Sequence, residues 1–262
     1  MTDGFEFTRD GAVARFTFTR PEKMNAITHE MWSAIPEVVA QVEAAPELKV
    51  LVLAGAGPHF SAGADISEFR TLRNTAEGAS AYDKAVDAAV DALTGMRTPS
   101  VATIQGNCIG GGCQLAVACD FRFTADGARF GITPARLGIA YQFPSTRLLV
   151  SLVGPAWAKY LLLSGELVDA GRAREIGLVH DVVAAADLEP VTARFVETLC
   201  SRSQASIHGM NRIIEKIVAG QEEADQEVAD IRLAVLHSAD YAEGVDAFLN
   251  RRAPEFTDRP VR

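Results

Sequence analysis

The stretch Ile104 to Asp120, IQGNCIGGGCQLAVACD, restricts the fold of this chain more than any other. Its lead-in, Ser100-Val-Ala-Thr-Ile104, is apolar and β-branched and suits a strand. Gly110, Gly111 and Gly112 follow, and an apolar run of helical character begins at Cys113. The pattern predicts a strand, a tight glycine turn and a helix N-terminus. The first amides of a helix have no internal partner, and the helix dipole is positive there. Such a place holds negative charge. The rest of the chain is therefore expected to bring an anion, or an atom that becomes one, to this point.

The bulk properties narrow the ligand. The chain has 262 residues, 48% of them apolar, enough for one large domain or a domain with an appendage. No run of about 18 apolar residues is present, so no membrane span is expected. The N-terminus lacks the basic-then-apolar pattern of a signal peptide, which points to a cytoplasmic location. A net charge of −9 argues against nucleic acid or an anionic membrane as partner. Cys108, Cys113, Cys119 and Cys200 form no CxxC pair, and the five histidines form no HxH or HxxxH pair. Buried free thiols and no metal are expected.

Along the chain, Phe5, Phe7 and residues 13–19 alternate around Asp10-Gly11, which predicts a β-hairpin. Thr28 is placed to cap a helix running to Val42. Residues 49–54 form an uninterrupted apolar run, the mark of a strand buried on both faces. A long glycine-bearing loop, 55–65, leaves that strand. Helix 79–96 and the strand-turn-helix of 100–119 follow, then strand 121–124 and a turn at Asp126-Gly127 into residues 128–132. Residues 133–144 hold too much Pro and Gly for a regular element. Beyond them the pattern is helical at 146–153, 155–164, 169–175, 188–201, 203–219 and 222–251, with one strand at 178–183. The expected fold is thus an α/β core over residues 1–200 and a helical region over 201–262.

Two loops, 61–66 and 109–113, each place a glycine just after a buried strand. If the strands are neighbours, each loop can offer one backbone N–H to the same oxygen. Two such donors make an oxyanion hole, and losing one costs about 3 kcal/mol of transition-state stabilisation. The other reading of each loop is a plain tight turn. The dinucleotide fingerprint GxGxxG, a P-loop lysine and a GxSxG nucleophile elbow are all absent.

On these residues the chain resembles the crotonase (enoyl-CoA hydratase/isomerase) superfamily. The resemblance runs through Arg20-Pro21, Asn25-Ala26, residues 60–66, residues 106–120, Phe130-Gly131, Leu137-Gly138, residues 162–165, Ala173, residues 176–179, residues 247–252 and Phe256. It implies a crotonase-like spiral of β-β-α units with a C-terminal helical trimerisation region, hence a homotrimer or a dimer of trimers. It implies an acyl-CoA thioester as substrate, with coenzyme A as part of that substrate and no permanently bound cofactor. Carried over, the oxyanion donors fall on Ala64 and Gly111. The coenzyme A moiety is expected along Lys23 and Met24 and along Ala62, Asp65 and Ile66. Phe248 and Arg251 match an acyl-pocket residue and a cation from the C-terminal helix of the same or a neighbouring subunit.

The departures from the family pattern bear on the reaction. Hydratases of this family use two glutamates, and their positions are Gln114 and Pro134 here. Neither residue can act as a general base. Thr133-Pro134, Leu137-Gly138 and Tyr141 resemble instead the methylmalonyl-CoA decarboxylase branch, where a tyrosine helps orient the substrate carboxylate. Loss of CO₂ itself creates the enolate, so no base is needed. The sequence therefore favours decarboxylation of a malonyl-type CoA, with Gln114, Thr133 and Tyr141 at the reacting group. Two alternatives stay open: a hydratase or isomerase with other acid–base groups, and a non-catalytic acyl-CoA binder.

Overall fold

The computed structural model describes residues 4–257. Phe5–Asp10 (β1) and Val13–Phe18 (β2) form the expected hairpin. Val50–Gly55 (β3), Ser100–Ile104 (β4), Phe121–Ala125 (β6) and Asp181–Val183 (β9) extend it in parallel, in the order β1-β2-β3-β4-β6-β9. A second sheet joins Asn107–Ile109 (β5), Arg129–Gly131 (β7) and Val168–Asp169 (β8). Strand β5 was not expected: Gly106, with φ +56°, turns the chain after β4 into the second sheet before the helix begins.

His29–Ala44 (α1) starts where Thr28 Oγ1 accepts from Met31 N at 3.2 Å. It buries Met31, Trp32, Ile35, Val38, Val39 and Val42, the stripe its spacing predicts. A single turn, Phe69–Leu72 (α2), precedes Ala76–Thr94 (α3). That helix begins three residues before the expected Ala79, because Thr75 Oγ1 caps it by accepting from Gly78 N at 3.0 Å. Gly111–Ala118 (α4) is the helix of the opening stretch. Helices α1 and α3 bury the Leu51 and Leu53 face of β3 in the main core. Val50 and Val52 point to the other face, where Val101 and Phe123 join them beneath Leu188 and Val196 of Leu188–Cys200 (α7). Burial on both faces explains why β3 reads as an unbroken apolar run.

Phe143–Lys159 (α5) is broken at Gly154 (φ +74°), where the sequence separates 146–153 from 155–164. Within residues 133–144 one 3-10 turn forms, Pro134–Leu137. Ala170–Glu175 (α6) follows β8, and β9 starts at Asp181 rather than at residue 178. The helical region holds Gln204–Val218 (α8), Gln226–Leu236 (α9) and Ala239–Leu249 (α10). The expectation of one helix over 222–251 is corrected: α9 stops at His237, and Ser238 caps α10 by accepting from Tyr241 N at 3.1 Å. Apolar spacing continues across the break, but a serine hydroxyl offers the backbone an alternative partner there. No described helix is long and apolar enough to cross a membrane.

Candidate active site

Strands β3 and β4 are parallel neighbours, so the loops that leave their C-terminal ends emerge side by side. The first loop is held from two directions. Asn25, fully buried at φ +55°, donates from Nδ2 to Ala56 O (2.9 Å) and His59 O (2.7 Å). Its Oδ1 accepts from Arg20 N at 2.9 Å. Phe60 N and Ser61 N donate to Gln105 O and Asn107 O, and Ile109 N donates back to Ser61 O. Ala62 N donates to Met24 O, Gly63 N to Ser61 Oγ, and Asp65 N to Ile27 O. Among the described residues only Ala64 N, of the amides from Phe60 to Asp65, has no partner.

The second loop ends at the head of α4. Gly110 N donates to Gly131 O, and Gly110 O accepts from Gln114 N. Gly111 N lies in the first helical turn and has no partner among the described residues. The two free amides are neighbours. A Cβ placed on Gly63 would stand 3.3 Å from Gly111 N, and one on Gly111 would stand 3.4 Å from Ala64 N. Gly63 also has φ +99°, a conformation that glycine adopts without strain.

These amides open into a cavity of about 160 Å³. Ala62, Ala64, Ile66, Gly111, Gln114, Thr133 and Tyr141 all line it, so the structure brings together seven of the residues singled out from sequence. Gln114 is buried and donates from Nε2 to Ser145 Oγ at 2.6 Å. Pro134 also lines the cavity. Burial pushes the Tyr141 phenol well above its usual pKa, with Cys113 and Cys108 adding to the shift. Tyr141 is thus a neutral hydrogen-bond donor at any working pH.

The other sequence-derived residues sit elsewhere. Met24 borders the cavity loop through its carbonyl, and Lys23 lies in the exposed turn Pro21–Lys23. Asp65 turns away from the cavity. Its carboxylate accepts from Ser67 N and Oγ and pairs with the Arg20 guanidinium at 2.9 Å. Phe248 and Arg251 do not line the cavity of their own chain. Phe248 is 83% exposed and borders a separate groove with Tyr241 and Val245.

Sequence reasoning missed part of the lining. Trp32, Arg73 and Tyr82 line the same cavity, as does Gln142, a group the sequence leaves open for a hydratase or isomerase. Trp32 and Tyr82 carry no signal of this, since each falls on the apolar stripe of its helix. Arg73 Nη1 pairs with Asp83 Oδ1 at 2.7 Å, and the same oxygen accepts from Gln142 Nε2 at 3.3 Å. Burial and the nearby Glu68 push the Tyr82 phenol up to about 12. Among the described residues no aspartate or glutamate lines the cavity, and Arg73 is the one charged residue that does. No group of three His, Cys, Asp or Glu among the described residues is placed to hold a metal.

Comparison with known proteins agrees with this geometry. The family model for enoyl-CoA hydratase/isomerase matches residues 8–259. "Probable enoyl-CoA hydratase echA8" of Mycobacterium leprae is 32% identical, with 99% of this chain and 98% of that protein covered. The crotonyl-CoA hydratase of Syntrophomonas wolfei is 31% identical, with 96% of each covered. A crystal structure of an enoyl-CoA hydratase/carnithine racemase from Magnetospirillum magneticum superposes with a TM-score of 0.93 at 32% identity, covering 98% of this chain and 96% of that one. With a family model spanning nearly the whole chain and two free loop amides at one cavity, the chain belongs to the enoyl-CoA hydratase/isomerase (crotonase) family.

Proposed function

We propose that the chain binds an acyl-CoA thioester with its carbonyl oxygen on Ala64 N–H and Gly111 N–H, and forms the enolate without a protein carboxylate. The favoured reaction is decarboxylation of a malonyl-type CoA. The observation that carries this reading is a cavity with two free amides and, among the described residues, no acid in its lining. In the proposed step the bond between the α-carbon and the carboxylate breaks. Its electron pair passes to the thioester enolate, CO₂ leaves, and the two amides stabilise the oxygen as its charge grows. The apolar surroundings of the cavity favour departure of the charged group. The α-carbon then takes a proton from Tyr141 or from water. Gln114, fixed by Ser145, and Thr133 orient the reacting carboxylate.

Coenzyme A is read as running past Lys23, Met24, Ala62, Asp65 and Ile66. In this reading Phe248 and Arg251 come from a neighbouring subunit of a trimer or a dimer of trimers. The exposed apolar residues of α8 to α10, among them Ile214, Ile217, Leu233 and Leu236, support an assembly through this region.

A second reading, hydration of an enoyl-CoA, is favoured by the relatives named enoyl-CoA and crotonyl-CoA hydratases. It needs Gln114, Tyr141 or Gln142 to position the water. The test is mass spectrometry of a mixed acyl-CoA pool after incubation with the protein. Loss of CO₂ from a malonyl-type thioester is expected. Gain of water on crotonyl-CoA would replace the first reading by the second, and tight binding with no change in mass or retention would mark a binder. Gly111→Pro, which deletes the amide donor, should abolish turnover in either reading.

A further inference from the structure

The otherwise apolar lining of the cavity carries one charged side chain among the described residues, Arg73. Arg73, in the segment between α2 and α3, has a side chain only 16% exposed. Its guanidinium carbon lies 4.9 Å above the Phe69 ring and 5.2 Å above the Tyr82 ring. Asp83 Oδ1 holds Nη1 at 2.7 Å. Arg73 and Gln142 line the cavity and Asp83 does not, so the ion pair presents its positive end to the cavity. A guanidinium has five N–H donors. Among the described residues only Nη1 has a hydrogen-bond partner, which leaves Nε and Nη2 unused.

Beside it Trp32 and Tyr82, 1% and 2% exposed, face each other, and the interaction of the indole N–H with the Tyr82 hydroxyl lowers the phenol pKa against its burial. A purely aliphatic acyl chain would cover the guanidinium without satisfying Nε and Nη2, which costs stability for each buried polar group. A carboxylate would satisfy the fork in the paired geometry that arginine favours. The two aromatic faces and Asp83 already fix the guanidinium, so little side-chain entropy is lost on binding.

We propose that Arg73 reads a second carboxylate on the acyl group, so that the substrate is the CoA thioester of a dicarboxylic acid. Position sets which end of the acyl group is read. The Trp32 indole lies against Gly111, Tyr82 is the neighbour of Trp32, and Arg73 covers Tyr82. Two aromatic rings therefore separate the guanidinium from the oxyanion amides. The carboxylate it meets is several bonds from the thioester, not the one next to the α-carbon. The inference rests on the acyl-CoA reading of the cavity and is independent of whether the thioester loses CO₂ or gains water. In the decarboxylation reading it concerns a carboxylate additional to the one that leaves.

The test is calorimetric binding to the full chain of matched thioesters that differ only in the terminal group. Glutaryl-CoA is paired with its uncharged isostere 5-methylhexanoyl-CoA, and adipyl-CoA with 6-methylheptanoyl-CoA. The wild type should prefer the diacid by about tenfold or more at one of the two lengths. Arg73→Met should erase that preference by weakening the diacid thioester, without weakening the uncharged isostere. Asp83→Asn, which releases the guanidinium from its partner, should move the preference the other way and increase it. Equal binding of acid and isostere by the wild type overturns the inference, and so does a preference that survives Arg73→Met. If Arg73→Met does not fold, an unchanged preference in Asp83→Asn overturns it. Failure of every thioester to bind overturns the acyl-CoA reading beneath it, whereas binding without preference overturns this inference alone.

Discussion

A single methyl group at Gly111 should affect stability and turnover through one contact, with Trp32. A Cβ on Gly111 would stand 2.7 Å from Trp32 Cζ2 and 3.2 Å from Cη2. Carbon atoms in contact sit at about 3.5–4.0 Å, so the overlap is close to an ångström. The indole cannot swing away, because it is 1% exposed and belongs to the buried stripe of α1. Overpacking of this kind costs about 1–3 kcal/mol. Gly111 does not have a positive φ, so alanine meets no backbone strain, and its stiffer unfolded chain returns about 0.4–1 kcal/mol. Gly111→Ala should therefore destabilise by about 1–2 kcal/mol net. The methyl would also stand 3.4 Å from Ala64 N, on the approach to the second amide. Turnover should fall about 10²–10³-fold, as when an oxyanion donor is lost. Trp32→Phe shortens the ring that the methyl strikes and removes the indole N–H that meets the Tyr82 hydroxyl, a loss common to the single and double variants that cancels in the cycle. Urea unfolding of both single variants and the double variant completes the cycle. A favourable coupling of about 1 kcal/mol is expected. Additivity within about 0.5 kcal/mol would refute the contact argument. Undiminished turnover in Gly111→Ala would refute the placement of the reacting oxygen.

The remaining predictions concern the segments that hold the first loop. Asn25→Ala leaves Arg20 N, Ala56 O and His59 O without their partner in a fully buried site and should cost about 3 kcal/mol or more, read by urea unfolding. Asp65 is held below its ordinary value of 3.8 by the Ser67 hydroxyl and then by Arg20, against a burial penalty. A lowered carboxylate contributes stability that is complete above its unfolded pKa and is lost as pH falls through its folded pKa. Asp65→Asn should thus flatten the loss of stability below pH 3.8, and an unchanged acid limb in pH-dependent unfolding would contradict the ion pair.

Much of the framework was legible because local rules governed it. The hairpin at Asp10-Gly11, the Thr28 cap and the α1 stripe need only period, turn and cap chemistry. The break at Gly154 was legible for the same reason, since a glycine with φ +74° ends a helical pattern locally. The break at Ser238 was missed because apolar spacing carried across it, and periodicity outweighed a single capping hydroxyl.

The sequence by itself determined that two glycine-bearing loops each follow a buried strand, and that Gln114 and Pro134, neither of them a base, stand beside the second loop and after the strand at 129–131. That the two strands are neighbours came from the sheet. Which amide stays free was decided only in three dimensions. Ala64 N is available because Met24, Ile27, Gln105 and Asn107, from two other segments, engage its neighbours or are engaged by them. The charged part of the lining was decided there too. Arg73, Asp83 and Gln142 meet although 59 residues separate the last two. Hydrogen-bond partners and charge pairs between distant segments depend on how helices pack against the sheet. Residue spacing carries the period of each element but not the position of one element against another.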